Sequence, residues 1–193
     1  SHRYDPDTPL EETMQALVDI VRSGKALYAG ISNYPVEAAE YAYNYLRYHD
    51  TPCLLHQLKY SILHRVPENE GLLQQAKEAG SGFIAFSPLA QGLLTDRYLG
   101  GIPEDSRAAR DFTLKKSSIT AELVEKLKKL DEIASDRGQS LAQMALSWVL
   151  KDDLVTSVIV GASSISQLDD NLQAVQNTDF CEEEIKIIND LTI

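Results

Sequence analysis

Apolar residues along this chain follow two different spacings, and the two spacings alternate. Residues 10–21 carry apolar side chains three or four positions apart, which is the spacing of one face of a helix. The run Ala26–Ile31 that follows is short and continuous, and it lies between Gly24 and Ser32, as is typical of a buried parallel strand. Because this order repeats along the chain, the sequence predicts an α/β fold with a parallel sheet.

These patterns predict bounds for each element. Strands are predicted at Ala26–Ile31, Cys53–Gln57, Phe83–Phe86 and Val158–Val160. Helices are predicted from Pro9 to Gly24, Pro35 to about Tyr48, Leu72 to Ala79, Leu123 to Ala134, Leu141 to Val149, Ile165 to Val175 and Glu182 to Leu191. Two helix starts carry capping signals, with Thr8 expected as the N-cap of the first helix and Ser140 with Gln143 as a capping box.

The number of strands limits the architecture. Only four strands are readable, whereas a closed (βα)8 barrel has eight strands and typically ~250 residues. The chain has no internal repeats or low-complexity linkers that would divide it, so we expect a single domain over residues 1–193. Since the first residue is Ser1 rather than Met, we also expect that an upstream segment is missing and that the chain is truncated.

Composition and charge exclude several partners. The net charge is −11 with 44% apolar residues, and an acidic protein of this kind repels phosphate backbones and anionic lipid. We therefore expect neither nucleic acid nor membrane as a partner. Two cysteines are too few for a disulfide framework, no stretch approaches the ~20 apolar residues of a membrane span, and a cytoplasmic location fits best. A homo-oligomer is left open.

Polar residues cluster just after the predicted strand ends. They are Ser32-Asn33, Gln57, Ser87 and Gly161-Ala162-Ser163. In parallel α/β folds ligands bind at the carboxyl ends of the strands, so these positions are candidates for a site. A long segment without sustained periodicity, Ser87 to Ser118, follows the third strand, and long loops in compact domains are commonly functional.

Several segments in order resemble the aldo-keto reductases, in the branch that includes potassium-channel β-subunits and glyceraldehyde-3-phosphate-type reductases. The matching segments are Ser1-His2-Arg3, Gly24–Tyr34, Phe86–Leu94, Gly101-Ile102-Pro103 with Ser106-Arg107, and Gly161-Ala162-Ser163 with Gln167, Leu168 and Asn171. The resemblance covers the whole chain. It implies the C-terminal half of a (βα)8 TIM barrel of the NADP-linked oxidoreductase type, without a glycine-rich dinucleotide fingerprint.

The resemblance also implies contacts to the nicotinamide end of the cofactor. Ser32, Asn33 and Gln57 would hydrogen-bond the nicotinamide carboxamide, which needs both donors and acceptors to fix one ring face toward the substrate. Phe86 would stack on the nicotinamide ring. A phenylalanine at a strand end is otherwise an ordinary core residue, so this role depends on the matching residues beside it.

The phosphate contacts are implied in the same way. Pyrophosphate-side and loop contacts are Ser87, Leu89, Gln91 and Arg97, and Arg107 matches a cationic residue that closes over the cofactor. Adenosine-phosphate contacts are Gly161, Ser163, Gln167, Asp170 and Asn171. A small-residue turn that opens a helix also favours an anion on physical grounds. NADP (NADPH) is the cofactor that the resemblance implies, with NAD less favoured. Relatives commonly carry arginine or lysine after this turn to hold the 2′-phosphate, and this chain has Ser164, which weakens the preference for NADP over NAD.

The catalytic residues are only partly represented. His2 matches the active-site histidine that orients the substrate carbonyl. The family's acid is a tyrosine made more acidic by a lysine that pairs with an aspartate, and no residue here can be assigned to these three roles. The spacing of the other histidines, His49, His56 and His64, fits no zinc template, so no metal is expected. The tyrosines of the second helix, from Tyr41 to Tyr48, are interpreted as packing residues.

We therefore expect a carbonyl reductase: NADPH-dependent reduction of an aldehyde or ketone to an alcohol, complete only with an upstream half. The partner would be a small-molecule carbonyl substrate. The alternative is a truncated, catalytically inactive nucleotide-binding or interaction module. An unrelated flavodoxin-like or phosphate-binding half-barrel would require the matching segments to be a coincidence.

Overall fold

The structure contains one four-stranded sheet among its described residues. The computed structural model describes residues 1–104, 106, 108–109 and 114–192. The strands are β1 Ala29–Ser32, β2 Cys53–Lys59, β3 Gly82–Phe86 and β4 Ser157–Ile159, in the order β1-β2-β3-β4. The β1–β2 and β2–β3 pairs are parallel. The predicted α/β class with parallel strands is confirmed.

Helices separate the strands along the chain. They are α1 Leu10–Arg22, α2 Val36–Tyr48, α3 Val66–Asn69, α4 Leu72–Glu78, α5 Ala121–Asp136, α6 Leu141–Val149, α7 Ile165–Leu172 and α8 Glu182–Thr192. Every predicted helix is present. The short α3 follows β2 and was not predicted, because four residues are too few for a periodic pattern.

The chain divides into two compact units. The first unit contains Ser1–Tyr60, Arg65–Phe86 and Asp152–Val158, and the second contains Ser61–His64, Ser87–Lys151 and Ile159–Ile193. The first therefore holds α1 to α4 and the three long strands, and the second holds α5 to α8. The expectation of one domain over residues 1–193 stays a prediction.

Strand register places the ends of three strands at one edge. Ser32 pairs with Gln57, and Lys59 pairs with Phe86, so the polar residues that follow β1 and the aromatic residue that ends β3 lie at the same carboxyl edge. Gly30 suits this close pairing, since a Cβ there would lie 3.0 Å from the Leu55 carbonyl oxygen and Leu55 would have to shift. The predicted clustering at the strand ends is confirmed for this part of the sheet.

A buried tyrosine–histidine pair packs between α2 and β2 in the first unit. His56 is fully buried, and its Nδ1 lies 2.8 Å from the Tyr43 hydroxyl. Burial lowers the pKa of His56 to about 4 and raises the pKa of Tyr43 above its ordinary range. Both interpretations made from the sequence, a structural His56 and a packing role for Tyr43, are therefore supported by the burial.

In the second unit, Arg137 ties the segment before α8 to the end of α5. Its guanidinium donates to Glu184 Oε1 at 2.8 Å, to the Asn177 carbonyl at 3.1 Å and to the Asp179 carbonyl at 2.9 Å. It also lies 3.7 Å from the centre of the Phe180 ring. Because only 5% of its side chain is exposed, the arginine is a buried charge with its donors satisfied.

Three details of the predicted elements are wrong. The Thr8 hydroxyl donates to Asp5 Oδ2 at 2.8 Å and caps nothing, so Pro9 is the N-cap of α1 without a side-chain hydrogen bond. The first strand begins at Ala29, and Leu27 and Tyr28, expected in a buried strand, are exposed. α7 ends at Leu172 and continues only as a 3-10 turn, Gln173–Gln176.

The described residues between β3 and α5 form no α-helix but are partly buried. It contains 3-10 turns at Ala90–Gly92, Asp96–Tyr98 and Lys116–Ser118. Leu94, Tyr98 and Leu114 are buried, so the segment contributes to the core of the second unit. This arrangement explains why the sequence showed no sustained period there.

Within the described residues, no helix is long and apolar enough to cross a membrane, and no group of three or more histidine, cysteine or acidic side chains could hold a metal ion. The two cysteines are free, Cys53 buried in the first unit and Cys181 exposed in the second. Burial raises the pKa of the Cys53 thiol, which makes it a packing residue rather than a reactive thiol.

Candidate functional site

The turn after β1 holds Asn33 in a strained backbone conformation. Its φ is +57°, in the left-handed region that asparagine tolerates better than most residues. The Asn33 amide donates to the His2 carbonyl at 3.1 Å and to Ser32 Oγ at 2.9 Å, and the Asn33 N–H donates to the Gln57 carbonyl at 3.2 Å. Three predicted site residues and His2 are thus brought together by hydrogen bonds.

The first two residues of the chain lie against β1. The Ser1 nitrogen donates to the Gly30 carbonyl at 2.7 Å, and the Tyr34 hydroxyl donates to Ser1 Oγ at 2.9 Å. These contacts place His2 at the wall of an open cavity of about 290 Å³ that Ser32 and Gln57 also line. The His2 side chain is exposed. It is therefore available to a ligand in this cavity.

Gln57 offers both kinds of hydrogen-bonding group at the same wall. In the described part of the chain its carboxamide has no hydrogen-bond partner, and its side chain is half-buried. A primary amide presents one oxygen acceptor and two N–H donors, which is the pattern needed to bind another amide. Phe86 ends β3 and is half-buried. Its stacking on the nicotinamide ring stays a prediction.

Three tyrosines of the first unit are buried, Tyr34, Tyr43 and Tyr60. The pKa values of Tyr34, Tyr43 and Tyr60 are all raised, and burial is the largest cause in each case. A tyrosine acting as an acid near neutral pH needs a lowered pKa. These three tyrosines are therefore not tuned as acids, and the expectation that no residue here takes the role of the family's tyrosine stays a prediction.

The turn after β3 also contains strained residues. Ser87, Ala90 and Gln91 have φ values of +55°, +47° and +63°, and strain of this kind persists where surrounding structure over-determines it, commonly at functional sites. Leu89 accepts the N–H groups of Gly92 and Leu94 at its carbonyl, so the turn is internally bonded. The predicted residues Ser87, Leu89 and Gln91 therefore lie in one tight turn of the second unit.

The two arginines predicted to contact the cofactor are Arg97 and Arg107. Arg97 is exposed in the 3-10 turn Asp96–Tyr98, where its N–H donates to Thr95 Oγ1 at 3.3 Å. Arg107 lies outside the described residues. The phosphate role of both arginines stays a prediction.

The turn before α7 is closed by its own side chains. Gln167 Oε1 accepts from the Ser163 N–H and hydroxyl, both at 2.9 Å, and Ser164 Oγ accepts from the Gln167 N–H at 3.2 Å. Ser163 and Gln167 are thus in contact, and the binding of the adenosine phosphate by Gly161, Ser163 and Gln167 stays a prediction. Ser164 is the N-cap of α7. The position at which relatives commonly carry arginine or lysine therefore has a local structural role in this chain.

Asp170 lies on the side of α7 that packs against α6. Gln143 Nε2 donates to Asp170 Oδ1 at 2.7 Å, and the Ser140 hydroxyl lies 3.4 Å from Asp170 Oδ2. The capping-box signal identified Ser140 and Gln143 as a helix start but gave no reason to connect them to Asp170. Asn171, the next residue, is half-buried, and its role in binding stays a prediction.

Comparison with known proteins assigns the family. The sequence profile of the Aldo/keto reductase family matches residues 1–193. The chain therefore belongs to the aldo/keto reductase family. It is 49% identical over 193 residues to an L-glyceraldehyde 3-phosphate reductase of Escherichia coli strain K12, a match that covers 98% of this chain and 56% of the relative.

Two further comparisons agree with this family, and the first of them also agrees with the branch named from the sequence. A potassium channel subunit beta-like protein of Schizosaccharomyces pombe is 32% identical, with 96% of this chain and 55% of the relative covered. The crystal structure of the thermostable aldo-keto reductase Tm1743 in complex with the inhibitor epalrestat matches with a TM-score of 0.72 and 28% identity, over 98% of this chain and 57% of that one. The chain thus spans about half the length of the curated relatives it matches.

Proposed function

We propose that this chain binds the nicotinamide end of NADP(H) at the carboxyl edge of β1 and β2, as part of a reductase that converts an aldehyde or ketone to an alcohol. The observation that carries the proposal is the left-handed Asn33, whose side chain and backbone join His2, Ser32 and Gln57. Membership of the aldo/keto reductase family supports the reaction class.

The residues present fit the nicotinamide carboxamide. Gln57 presents an amide at the cavity wall, and Ser32 adds a hydroxyl whose oxygen is already oriented by the Asn33 amide at 2.9 Å. Donors and acceptors that are fixed before binding lower the ordering cost of recognition. When bound, the cofactor supplies the hydride. The residues of this chain orient the ring, and His2 is placed to hydrogen-bond the substrate carbonyl.

A second candidate is a binding module without turnover. The raised pKa values of Tyr34, Tyr43 and Tyr60 favour it, because none of these tyrosines is tuned to donate a proton. Both candidates use the same cofactor contacts. They differ in the acid, which typically contributes 10²–10⁴-fold to the rate.

Fluorescence titration of the 193-residue chain with NADPH tests the proposal. Gln57→Leu removes the carboxamide at nearly constant volume, and we expect NADPH binding to weaken about fivefold, the equivalent of about 1 kcal/mol for one neutral hydrogen bond. Gln74→Leu is the matched control, because Gln74 is exposed on α4 and bonds only to Glu78 there. Its affinity should equal that of the parent chain.

The same samples separate the two candidates. Adding glyceraldehyde and following NADPH absorbance measures turnover, and we expect binding without turnover at ordinary enzyme rates from this chain. Turnover at those rates would show that an acid within these residues had been missed. A chain that is folded by circular dichroism but gives no NADPH titration would refute the proposed binding site itself.

A further inference from the structure

A lysine ends the second strand, at the edge of the sheet that carries the proposed nicotinamide site. Lys59 is the only lysine, arginine, aspartate or glutamate in the four described strands. Parallel strands are usually continuous apolar runs, so a charge at this position is unusual. Because β2 is bonded to β1 on one side and to β3 on the other, the neighbours of Lys59 in the sheet belong to this chain on both sides.

Lys59 lies on the same face of the sheet as the proposed nicotinamide contacts. Side chains alternate between the two faces of a strand, so Lys59 shares a face with Gln57, which lines the cavity. His56 and Leu58 are on the opposite face, and both are buried. The register pairs Lys59 with Phe86, which places these two residues side by side. Lys59 therefore lies about 7 Å beyond Gln57 along the strand, toward the carboxyl edge.

The charge of Lys59 is not compensated within the described part of the chain. The residue is half-buried, and its ammonium has no hydrogen-bond or ion-pair partner among the described residues. By contrast, Lys77 of the same unit lies 2.6 Å from Asp153. Partial loss of water around a charge costs free energy unless another group compensates for it. A cation held in this way at the edge where ligands bind is suited to an anionic group of a ligand.

We propose that Lys59 is a specificity-determining residue, which binds a carboxylate or phosphate group of the carbonyl substrate. This inference rests on the proposed function, in which Ser32 and Gln57 bind the nicotinamide carboxamide. The group that meets Lys59 then lies farther out along β2, on the side that faces solvent. Since His2 lies against β1 and Lys59 ends β2, the anionic group of such a substrate is separated from its carbonyl carbon.

Two ketones test the proposal with the full 193-residue chain saturated with NADP⁺, which has no hydride to transfer. Levulinate and methyl propyl ketone have the same carbon skeleton, except that levulinate ends in a carboxylate and the other ketone in a methyl group. We expect NMR titration of the 15N-labelled chain to show at least about tenfold tighter binding of levulinate, with the difference reduced by added salt. Equal binding of the two ketones, or no binding of either, would overturn the proposal.

Variants of two lysines locate the anion site. Lys59→Met should remove the preference for levulinate, and Lys59→Arg should retain most of it, because arginine keeps the charge. Lys25→Met is the matched control, since Lys25 is an exposed lysine of the same unit that precedes β1, at the opposite end of the strands. It should leave the preference unchanged. A preference for levulinate that survives in Lys59→Met, or is lost in Lys25→Met, would overturn the assignment.

The affinity for NADP⁺ separates this inference from the proposed function. We expect Lys59→Met to bind NADP⁺ as tightly as the parent chain does. If this variant bound NADP⁺ about tenfold more weakly, Lys59 would bind a phosphate of the cofactor, and its role toward the substrate would be overturned. A folded parent chain that binds NADP⁺ without preferring levulinate would refute only the inference. A folded parent chain that does not bind NADP⁺ would refute the proposed function, and the inference with it.

Discussion

The two units hold their candidate site residues by different physical means. In the first unit, parallel strand pairing sets Ser32 opposite Gln57, and Asn33 is fixed by bonds to neighbouring backbone. In the second unit, side-chain hydrogen bonds hold the candidate residues in place. Gln167 closes the turn at Ser163, and Gln143 of α6 donates to Asp170. Backbone pairing at a sheet edge remains when one side chain is changed. A segment that side-chain hydrogen bonds hold in place loses one of those bonds with each such change.

Because of this contrast, we expect the largest loss of stability from a side-chain change in the second unit. Arg137→Met removes the ion pair with Glu184 and the bonds to the Asn177 and Asp179 carbonyls. Because breaking a buried pair leaves its partners without compensation, we expect the free energy of unfolding to fall by about 3–5 kcal/mol. Urea unfolding followed by the fluorescence of Trp148, the single tryptophan, measures the loss within the second unit.

A surface ion pair of the first unit is the control. Lys77 lies 2.6 Å from Asp153, with 45% and 78% of the two side chains exposed, so Lys77→Met should cost less than about 1 kcal/mol. If both variants lost a similar free energy of unfolding, the contacts of Arg137 would stabilise the protein no more than an exposed ion pair does. That result would contradict the proposed contrast between the two units.

The next largest expected effect is a dependence of stability on pH, which arises from His56 in the first unit. Burial lowers the pKa of His56 to about 4 from the ordinary 6.5, so between these values the unfolded chain binds a proton that the folded chain does not. The stabilising contribution of neutral His56 is complete above pH 6.5 and is lost as the pH falls toward 4, by up to about 3 kcal/mol. Urea unfolding between pH 4 and 7, followed by circular dichroism, measures this loss.

His56→Asn tests the origin of that loss. Asparagine places an amide atom near the position of Nδ1, where the Tyr43 hydroxyl can still bond it, but it does not titrate. We expect the stability of this variant to depend less steeply on pH between 4 and 6.5. His49→Asn is the control, at a half-buried ring whose centre lies 4.4 Å from the centre of the Tyr45 ring. If the steep dependence persisted in His56→Asn, another group would have to be responsible.

The contrast between the units also explains what the sequence could predict. In the first unit the relevant signals are local: a short apolar run followed by Ser32-Asn33 predicts a strand and a turn, and asparagine is compatible with φ of +57°. Parallel pairing then brings successive strand ends to one edge. The capping box at Ser140 is equally local, and both of its hydrogen bonds are present.

The interactions that the sequence did not predict depend on distant or competing partners. Arg137 meets Glu184 47 residues later, and Gln143 meets Asp170 27 residues later, so no window of sequence contains both. Thr8 was expected to cap α1, but the Asp5 carboxylate competes for its hydroxyl. The exposure of Leu27 and Tyr28 likewise depends on where β1 begins to pair, which apolar continuity does not specify.

The smallest expected effect compares these two caps. Ser140 Oγ accepts from the Gln143 N–H at 3.2 Å, so Ser140→Ala should lower the free energy of unfolding by about 1 kcal/mol, the usual cost of removing an N-cap. Thr8→Ala removes a hydroxyl that caps no helix and should stay within about 0.5 kcal/mol of the parent chain. Equal losses in urea unfolding would restore Thr8 as a cap.

The most direct measurement of the proposed cofactor contact is an NMR titration of the 15N-labelled chain with NADPH. We predict that the side-chain amide signals of Asn33 and Gln57 shift together with rising NADPH, because these two groups are at the carboxyl edge of β1 and β2. The amides of Asn44 on α2 and Gln74 on α4, both exposed in the same unit, should not move. Signals of Asn33 and Gln57 that stay fixed while NADPH shifts other residues would contradict the assignment of this edge as the nicotinamide site.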